Sequence, residues 1–155
     1  MLRRILPAQF DNTYRGYKLG LLLFALFLFV RLAMSLNAIF NGRVVAISAD
    51  GIPLETFPVP AANAIVSFFA LLGLSRLMAA LLGVLVLVRY RNMIPLMFAL
   101  FLIEHLLRYP LLRALPITRS DTPVALGINL ALLAILVVGL LLSWPRRGGV
   151  AISNA

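Results

Sequence analysis

Four long apolar stretches, at about residues 19–40, 60–88, 92–109 and 122–144, constrain this chain more than anything else in it. A helix of roughly 20 apolar residues matches the ~30 Å hydrocarbon core of a bilayer, and in water four such segments could not all be covered. Hydrophobic residues make up 63% of the chain and charged residues 12%, well away from the balance of a soluble domain. The chain therefore reads as an all-α integral membrane protein with four transmembrane helices. At 155 residues the four spans and their connections use it up. A single transmembrane domain is expected over residues 1–155, and function must sit in the bundle or on its loops.

Local signals set the expected span ends. The first span follows a basic segment carrying Arg3, Arg4, Arg15 and Lys18; it is long for a cleaved signal and is interrupted by Arg31, so it reads as a retained span. Pro60 suits the first turn of the second span, where its missing N–H costs nothing. That span exceeds the ~20 residues needed and should tilt or project. Asn92 is the expected N-cap of the third, which should stop at Tyr109 because proline at 110 disfavours helix in the residue before it. The fourth opens at Thr122 and Pro123 and ends before Pro145.

Lysine and arginine counts orient the bundle. The N-terminal segment, the turn at 89–92 and the Arg146-Arg147 tail together hold eight, whereas the opposite loops hold Arg43, Arg113 and Arg119. Both termini are expected on the cytoplasmic side, in a bacterial inner (plasma) membrane. In the first outer loop, 41–59, Val44, Val45 and Ile47 precede Asp50-Gly51, and Ile52, Leu54 and Phe57 follow. Asp-Gly between apolar runs is a hairpin signal, so a short β-hairpin is expected over the outer face, limited by Pro53. Ser75, Ala79 and Gly83 form a small-residue stripe on the second span, with Gly127 and Ala131 as candidate partners on the fourth.

Candidate chemistry rests on Arg31, Arg76, Glu104, His105 and Arg108. Arg31 lies thirteen residues from Lys18, Arg76 thirteen from Arg89, and Glu104 thirteen from Arg91. At about 1.5 Å per residue all three fall roughly 20 Å from the charged boundary, where an ionisable group is costly enough to suggest a role. Glu104 also stands four residues before Arg108, the favourable order for an intrahelical pair. One carboxylate thus faces three guanidinium partners. Such a layer is either a structural network or a site for a lipid phosphate, carboxylate or quinone carbonyl, which guanidinium forks suit.

Other chemistry finds little support. His105 is the only histidine and there is no cysteine, so bis-histidine haem, thiolate metal and disulfide are excluded within one chain. No cofactor or metal is expected. Ser35, Ser67 and Ser75 lack a nucleophile-elbow context, and the net charge of +9 comes without the interleaved aromatics of a nucleic-acid surface. The reading is a non-catalytic accessory or scaffold subunit of a larger membrane complex, with the lipid bilayer, anionic lipid and a protein partner or second copy as its contacts. The alternatives are a small carrier or channel, or a lipid-phosphate- or quinone-binding protein using the charged layer.

Overall fold

The computed structural model describes residues 12–14, 16–115 and 125–144. The expected roles of Arg3, Arg4, Arg15, Arg119, Arg146 and Arg147, and of the Thr122-Pro123 opening of the fourth span, lie outside the described residues. Four long helices are present: α1 (Lys18–Phe40), α2 (Val59–Arg89), α3 (Ile94–Ala114) and α4 (Ala125–Ser143). Each is long and apolar enough to cross a membrane, so the protein is a four-span integral membrane protein. We call the end where α1 begins, α2 passes to α3 and α4 finishes the basic end.

The α2–α3 connection is short. Tyr90 leaves helical geometry at φ −131°, and Arg91–Met93 forms one 3₁₀ turn closed by the Met93 N–H on the Tyr90 carbonyl at 2.8 Å. Asn92 therefore sits inside this turn, and Met93 occupies the N-cap position expected of it. Pro60 and Pro95 both fall in first turns. Pro110 does not stop α3, which runs on to Ala114, with the Leu115 N–H closing on Leu111 O at 2.9 Å. A proline removes one donor from the ladder, and membrane-spanning helices tolerate this because neighbouring groups satisfy the freed carbonyl.

α1 is the central helix, packed along α2 on one side and α4 on another, while α3 packs chiefly on α4. The main core joins Phe24, Phe27 and Leu28 of α1 to Val86 of α2, to Ile94, Met97, Phe98 and Phe101 of α3, and to Leu132 and Leu136 of α4. Phe24 meets Phe98 edge-on at 5.0 Å, and Phe27 meets Phe101 at 5.1 Å. This core belongs to the basic half and the middle of the bundle. Beyond Phe101, α3 buries no residue among those described.

Close approach of α1 and α2 uses Gly73, Ala80 and Gly83, with Leu28 over Gly83 and Ser35, Ala38 and Ile39 over Gly73. Of the expected stripe, Gly83 lies in this contact and Ala79 packs against the core, while Ser75 falls outside it. Ser75 is exposed and its hydroxyl donates to the Leu71 carbonyl at 3.1 Å. Gly127 likewise has no neighbour where a Cβ would stand, so it is not a contact on α4. Before α1, the Tyr17 N–H donates to Leu142 O at 3.0 Å and ties the entering chain to the end of α4. Tyr14 packs beside it over Gly16 and Gly20, where burial pushes its phenol up to about 12.

The β-hairpin expected in the first loop does not form. Gly42–Val44 continues as helix, Val45–Ala49 is a π turn, and Leu54–Thr56 is a 3₁₀ turn; among the described residues there is no strand. Asp50-Gly51 ends a helix instead of reversing a strand. Asp50 N–H donates five residues back to Val45 O at 3.1 Å, Gly51 N–H to Ile47 O at 3.1 Å, and Ile52 N–H to Ala46 O at 2.9 Å. This is a Schellman-like cap widened by one residue, with Gly51 at φ 68° in the left-handed position. The apolar contact that accompanies such a cap is present: Ala46, Ile52 and Leu54 are buried together against Ile65, Val66 and Phe69 of α2. A lone hairpin would leave its outer backbone groups unpaired, whereas the helical turns satisfy most of them locally. Residues 42–57 thus form a helical hood over the far end of α2.

Candidate functional site

Arg31 is placed by the α1 backbone one turn beyond Phe27. Its carbonyl accepts the hydroxyl of buried Ser35 at 2.7 Å, and its guanidinium lies 4.7 Å from the Phe101 ring centre and 5.8 Å from that of Phe27. The two rings close the apolar core and present their faces to the cation, a favourable desolvated arrangement. Nη2 of Arg31 donates to both carboxylate oxygens of Glu104, at 2.7 and 2.6 Å. The competition among three guanidiniums is therefore won by Arg31. The pair is asymmetric: the Arg31 side chain is 13% exposed and that of Glu104 49%.

The intrahelical Glu104–Arg108 pair is not formed. Arg108 reaches the hood instead, with Nη2 3.7 Å from Oδ1 of Asp50. Asp50 is a site residue that sequence reasoning missed. Its one signal was to be one of only five acids in the chain, and the Asp-Gly pattern had assigned it to a turn. His105 turns toward α4, where it meets the Asn129 backbone, and its ring stands edge-on to Tyr109 at 6.1 Å. Its Nε2 is buried and makes no hydrogen bond among the described residues.

Arg76 takes its place from the α1–α2 contact face. Residues 73, 76, 80 and 83 follow spacings of three and four, so Arg76 shares the helix face of Gly73, Ala80 and Gly83. Because Leu28 faces Gly83 and Ser35 faces Gly73, Arg31 stands nearly level with Ala79, and Arg76 about one turn (about 5 Å) further from the basic end. The equal depth expected from the thirteen-residue offsets is thus only approximate. Arg76 lies in the field of Arg108, Arg31, Glu104 and Asp50. Among the described residues it is half-buried and makes no hydrogen bond or ion pair.

The structure thus gathers Arg31, Glu104, Arg108 and Asp50 into two ion pairs, with Arg76 beside them and His105 turned to the neighbouring helix. Among the described residues three guanidiniums face two carboxylates, and the uncompensated charge sits on Arg76. Nε of Arg31 is also buried without a partner among the described residues. Donors are in surplus, so the arrangement can hold an acceptor. The hydroxyls weighed as nucleophiles are engaged locally: Ser35, Ser67 and Ser75 each donate to a carbonyl one turn back in their own helix. Comparison with protein families, curated proteins and solved structures finds no match to this chain.

Proposed function

We propose that this four-span protein is a non-catalytic accessory or scaffold subunit of a larger membrane assembly, seated in a bacterial inner membrane with both termini cytoplasmic. The observation that carries this reading is Glu104. Its side chain is 49% exposed, and it stands on the part of α3 that has no fully buried residue among those described. At about 20 Å from the basic end an uncovered carboxylate faces hydrocarbon, which is costly even when one cation neutralises it. Arg31 meets both carboxylate oxygens through the single nitrogen Nη2 and leaves further lone pairs open. The open lone pairs suit a helix of a partner subunit that supplies a side-chain hydrogen-bond donor, the usual polar adhesive between membrane helices.

A photo-crosslinking side chain at Leu107, which is 62% exposed on the same half of α3, tests this in the full chain within its native membrane. A larger membrane subunit should be captured from Leu107, not from Leu82 on α2, and capture should fall with Glu104→Gln. Capture of a second copy, or of nothing, would replace the accessory reading.

Orientation has its own test. The lysine and arginine distribution supports a hood outside and an α2–α3 turn inside. A cysteine at Ser48 should react with an impermeant thiol reagent added to intact cells, and one at Asn92 only after the membrane is opened. The opposite labelling pattern would invert the topology.

A further inference from the structure

The far half of the bundle contains donors that its own residues do not satisfy. Arg76 carries a full charge inside a span with no ion pair among the described residues, and the adjacent Arg31 has a buried Nε–H without an acceptor. Buried donors in folded proteins nearly always find a partner, and a bound ion is one of the explanations an orphan calls for. Both carboxylates nearby pair with other guanidiniums, Glu104 with Arg31 and Asp50 with Arg108. Among the described residues no carboxylate pairs with Arg76, which calls for an acceptor from outside them.

We infer that Arg76, in the field of the Arg31 guanidinium, forms a binding site for the oxyanion of a phosphate-bearing lipid headgroup. A guanidinium fork matches a phosphate with two parallel hydrogen bonds, and a charge-assisted bond in a low-dielectric setting is strong. Depth agrees with a lipid source. Arg76 stands thirteen residues from Arg89, so its backbone lies about 10 Å short of the far boundary of a ~30 Å core, within snorkelling reach of the headgroups. Access is lateral. α2 and α3 make little contact with each other, and α3 beyond Phe101 has no fully buried residue among those described, so a lipid can approach between them without crossing the core. Partner docking at Glu104 is a separate matter, because it uses an acceptor and this site uses donors.

Native mass spectrometry of the full chain in mild detergent tests the inference, with phosphatidylglycerol, phosphatidylcholine and inorganic phosphate added in turn. The wild type should retain one phosphatidylglycerol in preference to phosphatidylcholine. Arg76→Gln should lower that retention by about tenfold, the value of one charge-assisted hydrogen bond. Arg113→Gln, which removes an exposed cation at the end of α3, should leave it unchanged. Displacement of the lipid by inorganic phosphate would support an oxyanion site open to the free ion, and persistence of the lipid would support the headgroup as its source. Arg76→Lys keeps the charge without the fork and should give a smaller loss; it also serves should Arg76→Gln fail to fold. Absence of an anionic preference in the wild type, or equal losses in Arg76→Gln and Arg113→Gln, would overturn the site.

Discussion

Glu104→Gln is expected to destabilise the purified protein by about 3 kcal/mol, and Arg31→Leu on that background to recover much of the loss. Removing one partner of a buried ion pair typically costs about 3–5 kcal/mol because the other charge is stranded, and the half-exposed carboxylate places this case at the lower end. The stranded group is Arg31, held against Phe101 and Phe27 with little access to water. Arg76→Leu should not relieve the defect, since Arg76 is not bonded to the carboxylate. Arg108→Gln should be mild, because its contact with Asp50 is long at 3.7 Å and its side chain is 31% exposed. Thermal melts of the single and double variants form the required cycle. A Glu104→Gln protein that melts like wild type, or coupling to Arg76 in place of Arg31, would refute the pairing.

Gly139→Ala should be destabilising by about 1–3 kcal/mol, while Gly127→Ala should be neutral or slightly stabilising. The same substitution is made twice on one helix. At Gly139 the new methyl would overlap the ring of Phe98, which is fully buried and locked edge-on against Phe24. At Gly127 nothing stands in the way. In a bilayer the lost term is packing, because lipid tails are as apolar as the core, so the contrast isolates shape from burial. Equal melting temperatures for the two variants would show that α4 is not seated on Phe98.

The four spans were legible because a bilayer makes length and apolarity nearly sufficient to define a helix. The hood was not, because Val44, Val45 and Ile47 before Asp50-Gly51 fit either a strand leading into a turn or a helix leading into a cap. What decides is the surroundings: Ala46 is fully buried and Ile52 packs with it against α2, a tertiary fact invisible in local spacing. The α1–α2 interface shows the same limit on a smaller scale. Ser75, Ala79 and Gly83 are small at spacing four, yet the contact face steps by three, four and three through Gly73, Arg76, Ala80 and Gly83 and leaves Ser75 outside. In the site, the offsets of Arg31 and Glu104 from their charged boundaries pointed to their meeting. Asp50 reaches Arg108 only because the chain folds back over the far end of α2, and no offset along a helix could reveal that.

The central position of α1 also bears on how the chain assembles as it is made. The first two helices to enter the bilayer share an extensive glycine-lined contact, so a stable hairpin exists before the third arrives. The third then finds little surface on its immediate predecessor, and its main neighbour has not yet been synthesised. For that interval the Arg31–Glu104 bond is a mooring line: one strong polar link holds α3 against the hairpin until α4 docks. A chain ending at Ala114 should accordingly depend on Glu104 for protease resistance of its third helix more steeply than the full chain does. Equal dependence would mean that α3 finds its place by packing alone.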